Sequence, residues 1–82
     1  MRVLLYPLTT EKAIKQVELE NKINFVVDSR ATKAQIAEEL KTMFKVKVEK
    51  VNLHIRNNKK IATIKLKADS PAIDIATKLG MM

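Results

Sequence analysis

Residues 31–67 read ATKAQIAEELKTMFKVKVEKVNLHIRNNKKIATIKLK, and the order of signals along this stretch decides the fold. Thr32 followed three residues later by Gln35 is a capping box, in which the Thr side chain accepts from a backbone N–H that the first helical turn leaves unpaired. A helix is expected to begin there, with Ile36, Ala37, Leu40, Met43 and Phe44 on one stripe that packs against a sheet. Past Lys45 the apolar period changes to two. Val46 and Val48 are even while Val51, Leu53 and Ile55 are odd, a change of phase that a bulge or a strand starting near Val48 explains. Asn57–Asn58 suits the positive φ values of a tight turn, and beyond it Ala62, Ile64 and Leu66 alternate with Ile61, Thr63, Lys65 and Lys67. The stretch is thus a helix followed by a hairpin.

On the N-terminal side, Lys22 to Asp28 reads as a strand with Ile23, Phe25 and Val27 on the core face and Asn24 and Asp28 on a polar one, Val26 being the apolar exception there. Asn21–Lys22 reads as a turn. Before it, Arg2 to Tyr6 is a strand ended by Pro7, and Thr9 or Thr10 caps a helix running to about Leu19 with Ala13, Ile14 and Val17 inward. On the C-terminal side, Ser70–Pro71 gives an N-cap and first turn, Ala72, Ile75, Ala76 and Leu79 form a stripe, and Gly80 suits the residue after the helix. Met81–Met82 reads as a frayed end. The order is β-α-β-α-β-β-α. The helix from Thr32 carries the chain back so that the strands before and after it run parallel, and the last strand fits antiparallel between them. The expected architecture is a single small α+β sandwich over residues 1–82, with a four-stranded, mostly antiparallel sheet of order 1-2-4-3 packed with helices.

Charge is distributed unevenly over this frame. Nine of the 16 Lys and Arg residues lie between Lys41 and Lys67 with one acid, Glu49, so this segment carries a net +8 and the remainder of the +7 chain sums to −1. A charge so concentrated on folded, β-branched sequence marks a surface for a polyanion. A lysine-rich sheet edge that merely resists aggregation does not need a helix end, two strands and a turn to carry it.

Other chemistries find little purchase. With no Cys there is no disulfide, thiolate zinc site or cysteine nucleophile, and with one His, His54, no metal centre is expected. His54 sits among polar strand positions and is expected to face solvent or RNA. The pairs Glu38–Glu39 and Glu18/Glu20 read as exposed charges, and no Ser-His-Asp pattern or glycine loop is present. A sheet-stacking RNA-recognition motif needs exposed aromatics and glycines, whereas Phe25 and Phe44 sit at core positions and Gly80 is the single glycine. Apolar runs are only a few residues long and no signal-type stretch follows Met1–Arg2, so neither membrane insertion nor export is expected. An enzyme, a cofactor and a small-molecule substrate are not expected.

Several stretches together are similar to a known family. PLTTEK (Pro7 to Lys12), ATKAQIAEELKTMFKVKVEKVN (Ala31 to Asn52) and IATIKLK (Ile61 to Lys67) resemble the L twenty-three family of large-subunit ribosomal proteins across nearly the whole chain. The resemblance implies an α+β structural protein, without a reaction, that binds large-subunit rRNA beside the exit of the nascent-peptide tunnel in the cytoplasmic ribosome, among neighbouring large-subunit ribosomal proteins. It also implies a docking surface for factors meeting the emerging chain, including the signal recognition particle, the translocon and, in bacteria, trigger factor. Glu11 matches the docking glutamate of the Thr-Glu-Lys motif. Bacterial relatives carry a long loop where this chain has only about Asn57 to Lys60. With the C-terminal DIATKLG, that makes the resemblance archaeal-type, and neither a tunnel-lining loop nor trigger factor is then expected.

The residues expected to contact rRNA are Lys12, Lys33, Lys47, Lys50, Asn52, His54, Arg56, Asn57, Lys59, Lys60, Lys65 and Lys67. Changing Lys59 and Lys60 together to Glu is expected to weaken RNA binding without unfolding the domain. Factor docking is expected on the exposed side of the first helix, at Glu11, Lys15 and Glu18. The rival reading is a non-ribosomal basic domain that binds RNA or acidic proteins.

Overall fold

The computed structural model describes residues 3–80. Arg2, where the first strand is expected to start, and Met81–Met82 lie outside the described residues. The elements are β1 (Leu4–Pro7), α1 (Glu11–Glu20), β2 (Lys22–Val27), α2 (Lys33–Phe44), β3 (Val48–Arg56), β4 (Lys59–Leu66) and α3 (Ala72–Lys78). One sheet forms with the order β1-β2-β4-β3, every neighbouring pair antiparallel. β2 and β3 are therefore parallel to each other with β4 between them, the arrangement expected from the crossover through α2.

Local chemistry sets the ends of these elements. The Thr10 hydroxyl accepts from the Ala13 N–H at 3.2 Å, and Thr32 and Gln35 close both halves of the capping box on α2. Asn57 and Asn58 take φ values of 51° and 63°, which gives the β3–β4 hairpin a two-residue turn of the hand that matches strand twist. Between Val48 and Lys50 the register shifts, so Glu49 is the extra residue of a bulge and accounts for the phase change in the sequence. A second irregularity falls at Leu5, between the pairs Leu4–Val27 and Tyr6–Val26.

One face of the sheet carries the core. Ile23, Phe25, Val27, Val51, Ala62, Ile64 and Leu66 pack against Ile36 and Leu40 of α2 and Ala72, Ile75 and Ala76 of α3. Val17 of α1 joins them while Gln16 of the same helix accepts from the Asn24 side chain on the other face, so α1 flanks β2 where β1 has ended. Glu39 of α2 accepts from the N–H groups of Val3 and Leu4 at 3.0 and 2.8 Å, fastening β1 to the helix layer.

Five expectations need correction, the first being Glu39, which reads as an exposed charge and is instead half-buried against the start of β1. Met43 is 44% exposed and leaves the α2 stripe, and Ile14 is only half-buried. Val26 and Asn24 lie on the polar face as expected, yet both are buried. Ile61 and Tyr6 flank Val26, while Asn24 donates to Gln16 at 2.6 Å and accepts from Thr63 at 2.6 Å. Ser70 does not cap α3; its hydroxyl accepts from the Lys47 N–H at 3.0 Å. The orphan N–H of Ala72 is taken instead by the side chain of Asn21, 51 residues away, at 2.6 Å.

Candidate nucleic-acid interface

The face of the sheet opposite the core is built by strand parity. Since side chains alternate and directly paired residues share a face, the registers line up four rows across it. Lys22, Lys65 and Lys50 form the first; Asn24, Thr63 and Asn52 the second. Tyr6, Val26, Ile61 and His54 form the third, and Lys59 with Arg56 the fourth, beside the turn. Cations thus occupy both ends of the face, amide and hydroxyl groups and a histidine lie between them, and none of these positions holds an acid. Along its β2 side runs the start of α1, whose Lys12 lines a shallow groove with Thr10, Asn24, His54, Arg56 and Thr63.

The expected contacts divide on this geometry. Lys50, Asn52, His54, Arg56, Lys59 and Lys65 share the outer face, Lys12 borders it, and Asn57 lines a second groove at the turn end, beside Tyr6. Lys33, Lys47, Lys60 and Lys67 are elsewhere. Lys33 opens α2 in the helix layer. Lys47 and Lys67 line a hollow between α2 and the start of β3, where Lys47 pairs with Asp69 at 3.1 Å. The hydrogen bond from that ammonium holds the Asp69 carboxyl below its usual value. Lys60 points to the core side of the sheet and donates to the carbonyls of Ala31 at 2.9 Å and Ser29 at 3.4 Å. Its ammonium therefore secures the β2–α2 loop, and the pair Lys59–Lys60 does not act as one basic unit.

Ion pairs draw little from the outer face. Lys65 reaches Glu49 at 4.0 Å and Lys22 reaches Glu20 at 3.2 Å, both at the first row and partly solvated, where such pairs are worth at most about 1 kcal/mol. Among the described residues Lys12, Lys50 and Arg56 make no ion pair. Such a field has the chemistry to hold phosphates, while the central amides and hydroxyls suit sugar or base edges. On the other side of α1, Glu11, Lys15 and Glu18 are all exposed on one helical side, with Glu11 and Lys15 joined at 3.9 Å.

Four polar or aromatic members of the face were not singled out as contacts in the sequence: Lys22, Asn24, Thr63 and Tyr6. Their signal is register. Once Thr63 is set opposite Asn24 and Asn52, it joins their row, and Lys22 follows from Lys65 in the same way.

The residues that make this surface fall within a stretch that has relatives. The family model for ribosomal protein L23 matches residues 2–73. This chain belongs to the ribosomal protein L23 family. The large ribosomal subunit protein uL23 of Trypanosoma brucei brucei is 44% identical to it over 99% of the chain and 50% of the relative's own length. The chain thus spans about half the length of that curated relative. The family is one of ribosomal proteins, and the relative's name places that relative in the large ribosomal subunit. All four rows of the outer face lie inside the matched L23 segment.

Proposed function

We propose that this L23-family domain holds large-subunit rRNA against the outer face of its sheet, at the exit of the nascent-peptide tunnel and beside neighbouring large-subunit proteins. One observation carries the reading: basic rows close both ends of a face whose paired positions hold no acid, Glu49 and Glu20 reaching only its first row, and whose centre offers amide, hydroxyl and imidazole groups. The rigid sheet sets the spacing of the cations, so phosphate contacts fix position and RNA shape supplies selectivity. The exposed side of α1 bearing Glu11, Lys15 and Glu18 docks the signal recognition particle and the translocon, a role supported by its exposure and by its separation from the basic rows. The two-residue turn at Asn57–Asn58 supports a short-loop member of the family, without a loop long enough to line the tunnel.

The test is titration of the protein with the tunnel-exit domain of large-subunit rRNA and with an unrelated folded RNA of equal length, at low and physiological salt. Selective binding that survives physiological salt supports the proposal. Equal, salt-labile binding reduces the face to a generic basic patch, and binding to neither RNA turns the search to acidic proteins.

A further inference from the structure

The basic face carries two aromatic rings, the imidazole of His54 and the larger, more apolar ring of Tyr6. Tyr6 is 44% exposed on β1, whereas Phe25 is buried in the core and Phe44 packs against it. The ring stands at a groove of about 320 Å³, whose lining includes Leu8, Thr10, Arg56, Asn57 and Lys59. That volume is at the low end of the range for small-ligand sites, about 300–1,000 Å³. The ammonium of Lys59 lies 5.7 Å from the ring centroid. An apolar ring, a cation over it on a flexible stem that can yield the ring face to a base and turn to its phosphate, and hydrogen-bonding groups around it are the elements that a single nucleotide requires.

We propose that this groove is a subsite for one unpaired RNA nucleotide, with its base stacked on Tyr6 and its phosphate held by Lys59 and Arg56. The inference rests on the rRNA-binding reading and adds to it a place where the RNA must be single-stranded, because a base inside a duplex has no free face to offer. The Thr10 oxygen already accepts from the Ala13 N–H, which leaves its hydroxyl proton to donate to a base edge. The Asn57 amide, with a donor and an acceptor, suits either kind of edge group. A clasp between Lys59 and Tyr6 alone would explain the place of the ring, but not why a groove with polar groups opens beside it.

Tyr6 is the single tyrosine of the chain, so protein carrying 3-fluorotyrosine gives one fluorine resonance, and RNA contributes none. The probe is the tunnel-exit domain of large-subunit rRNA, titrated against that labelled protein and against Tyr6→Phe and Tyr6→Leu. Stacking shifts the fluorine resonance on binding, leaves Tyr6→Phe at wild-type affinity, and weakens Tyr6→Leu by about 5- to 150-fold with the salt slope unchanged. If the rRNA binds but the resonance stays in place and Tyr6→Leu binds like wild type, the subsite is overturned while the basic-face reading stands. If the unsubstituted protein binds no rRNA, both fall. Should Tyr6→Leu fail to fold, the fluorine shift in the unsubstituted sequence decides the matter without it.

Discussion

The Lys60 ammonium donates to the Ala31 carbonyl at 2.9 Å, spanning from β4 to the loop that leads into α2. Lys59, its neighbour in sequence, projects from the opposite face and stands over Tyr6. Adjacent strand residues cannot share a face, so two lysines that look interchangeable have different work. Lys60→Met removes a charge-assisted bond and leaves two carbonyls short of a donor, with an expected cost of about 1–2 kcal/mol. Lys59→Met is expected to stay within about 0.5 kcal/mol of wild type. Urea unfolding of the two variants checks this. Changing both to Glu mixes a stability effect with a binding effect and does not isolate the turn.

Removing cations one at a time separates the outer face from the rest of the charge. Lys50→Gln and Arg56→Gln are each expected to lower the slope of log K against log salt by about 0.7–0.9 for rRNA. Lys33→Gln, in the helix layer, leaves the slope unchanged. Affinity measured across a range of salt concentrations tells them apart, and equal slopes for all three would remove the sheet face from the contact.

Asn21 binds two distant parts of the chain. Its side-chain amide donates to the carbonyls of Leu66, Lys67 and Ser70, its oxygen accepts from Ala72, and its backbone has a φ of 54°. Asn21→Ala loses those bonds and puts alanine, which lacks the local hydrogen bonding that lets asparagine tolerate it, in the left-handed region, for an expected loss of about 2–4 kcal/mol. Asn21→Gly relieves the backbone but not the lost bonds, and a denaturant series on the two variants divides the cost.

Asp28 accepts from the backbone N–H of Arg30 at 2.9 Å, and this bond, with the nearby Arg30 charge, holds its carboxyl below the usual 3.8. A carboxyl with a depressed folded value stabilises the fold above its unfolded value and loses that contribution as pH falls through the folded one. Wild-type stability should therefore drop on acidification below about pH 4 more steeply than that of Asp28→Asn. Thermal melts between neutral and strongly acidic pH provide the comparison.

Glu11→Lys reverses one charge on the exposed side of α1, breaking the solvated pair with Lys15 and putting a cation at the helix N-terminus, at an expected cost of about 0.3–1 kcal/mol. Recruitment of the signal recognition particle to ribosomes carrying the variant is expected to weaken while incorporation into the large subunit is unchanged. Normal recruitment would place factor docking elsewhere.

Much of this structure was legible because local signals agree with one another. The capping box at Thr32, the paired asparagines of the turn and the phase change before Val51 each have one physical reading, and together they set α2, the hairpin and the bulge. Strand order followed from connection rules. The candidate site was less legible, because its membership depends on which strand residues face each other across three pairings. Charge alone included Lys60 and Lys47, whose ammonium groups are engaged by a loop and by Asp69, and it passed over Tyr6, which carries no charge. Ser70 illustrates the same limit. Its position before Pro71 is a sound local signal for a cap, but a distant side chain, Asn21, reaches the helix end.

The central place of β4 also governs when this chain can fold as it is made. β1 has β2 as its sheet partner, β3 has β4, and β2 joins the far half of the sheet only through β4. A growing chain that ends before Lys59 holds one short antiparallel pair and an exposed apolar strand, β3, with nothing to pair it. Sheet completion waits for Leu66 to emerge, and the Asn21 tie waits for Ala72. Assembly is therefore a late event dominated by long-range contacts, which form slowly and expose apolar surface meanwhile.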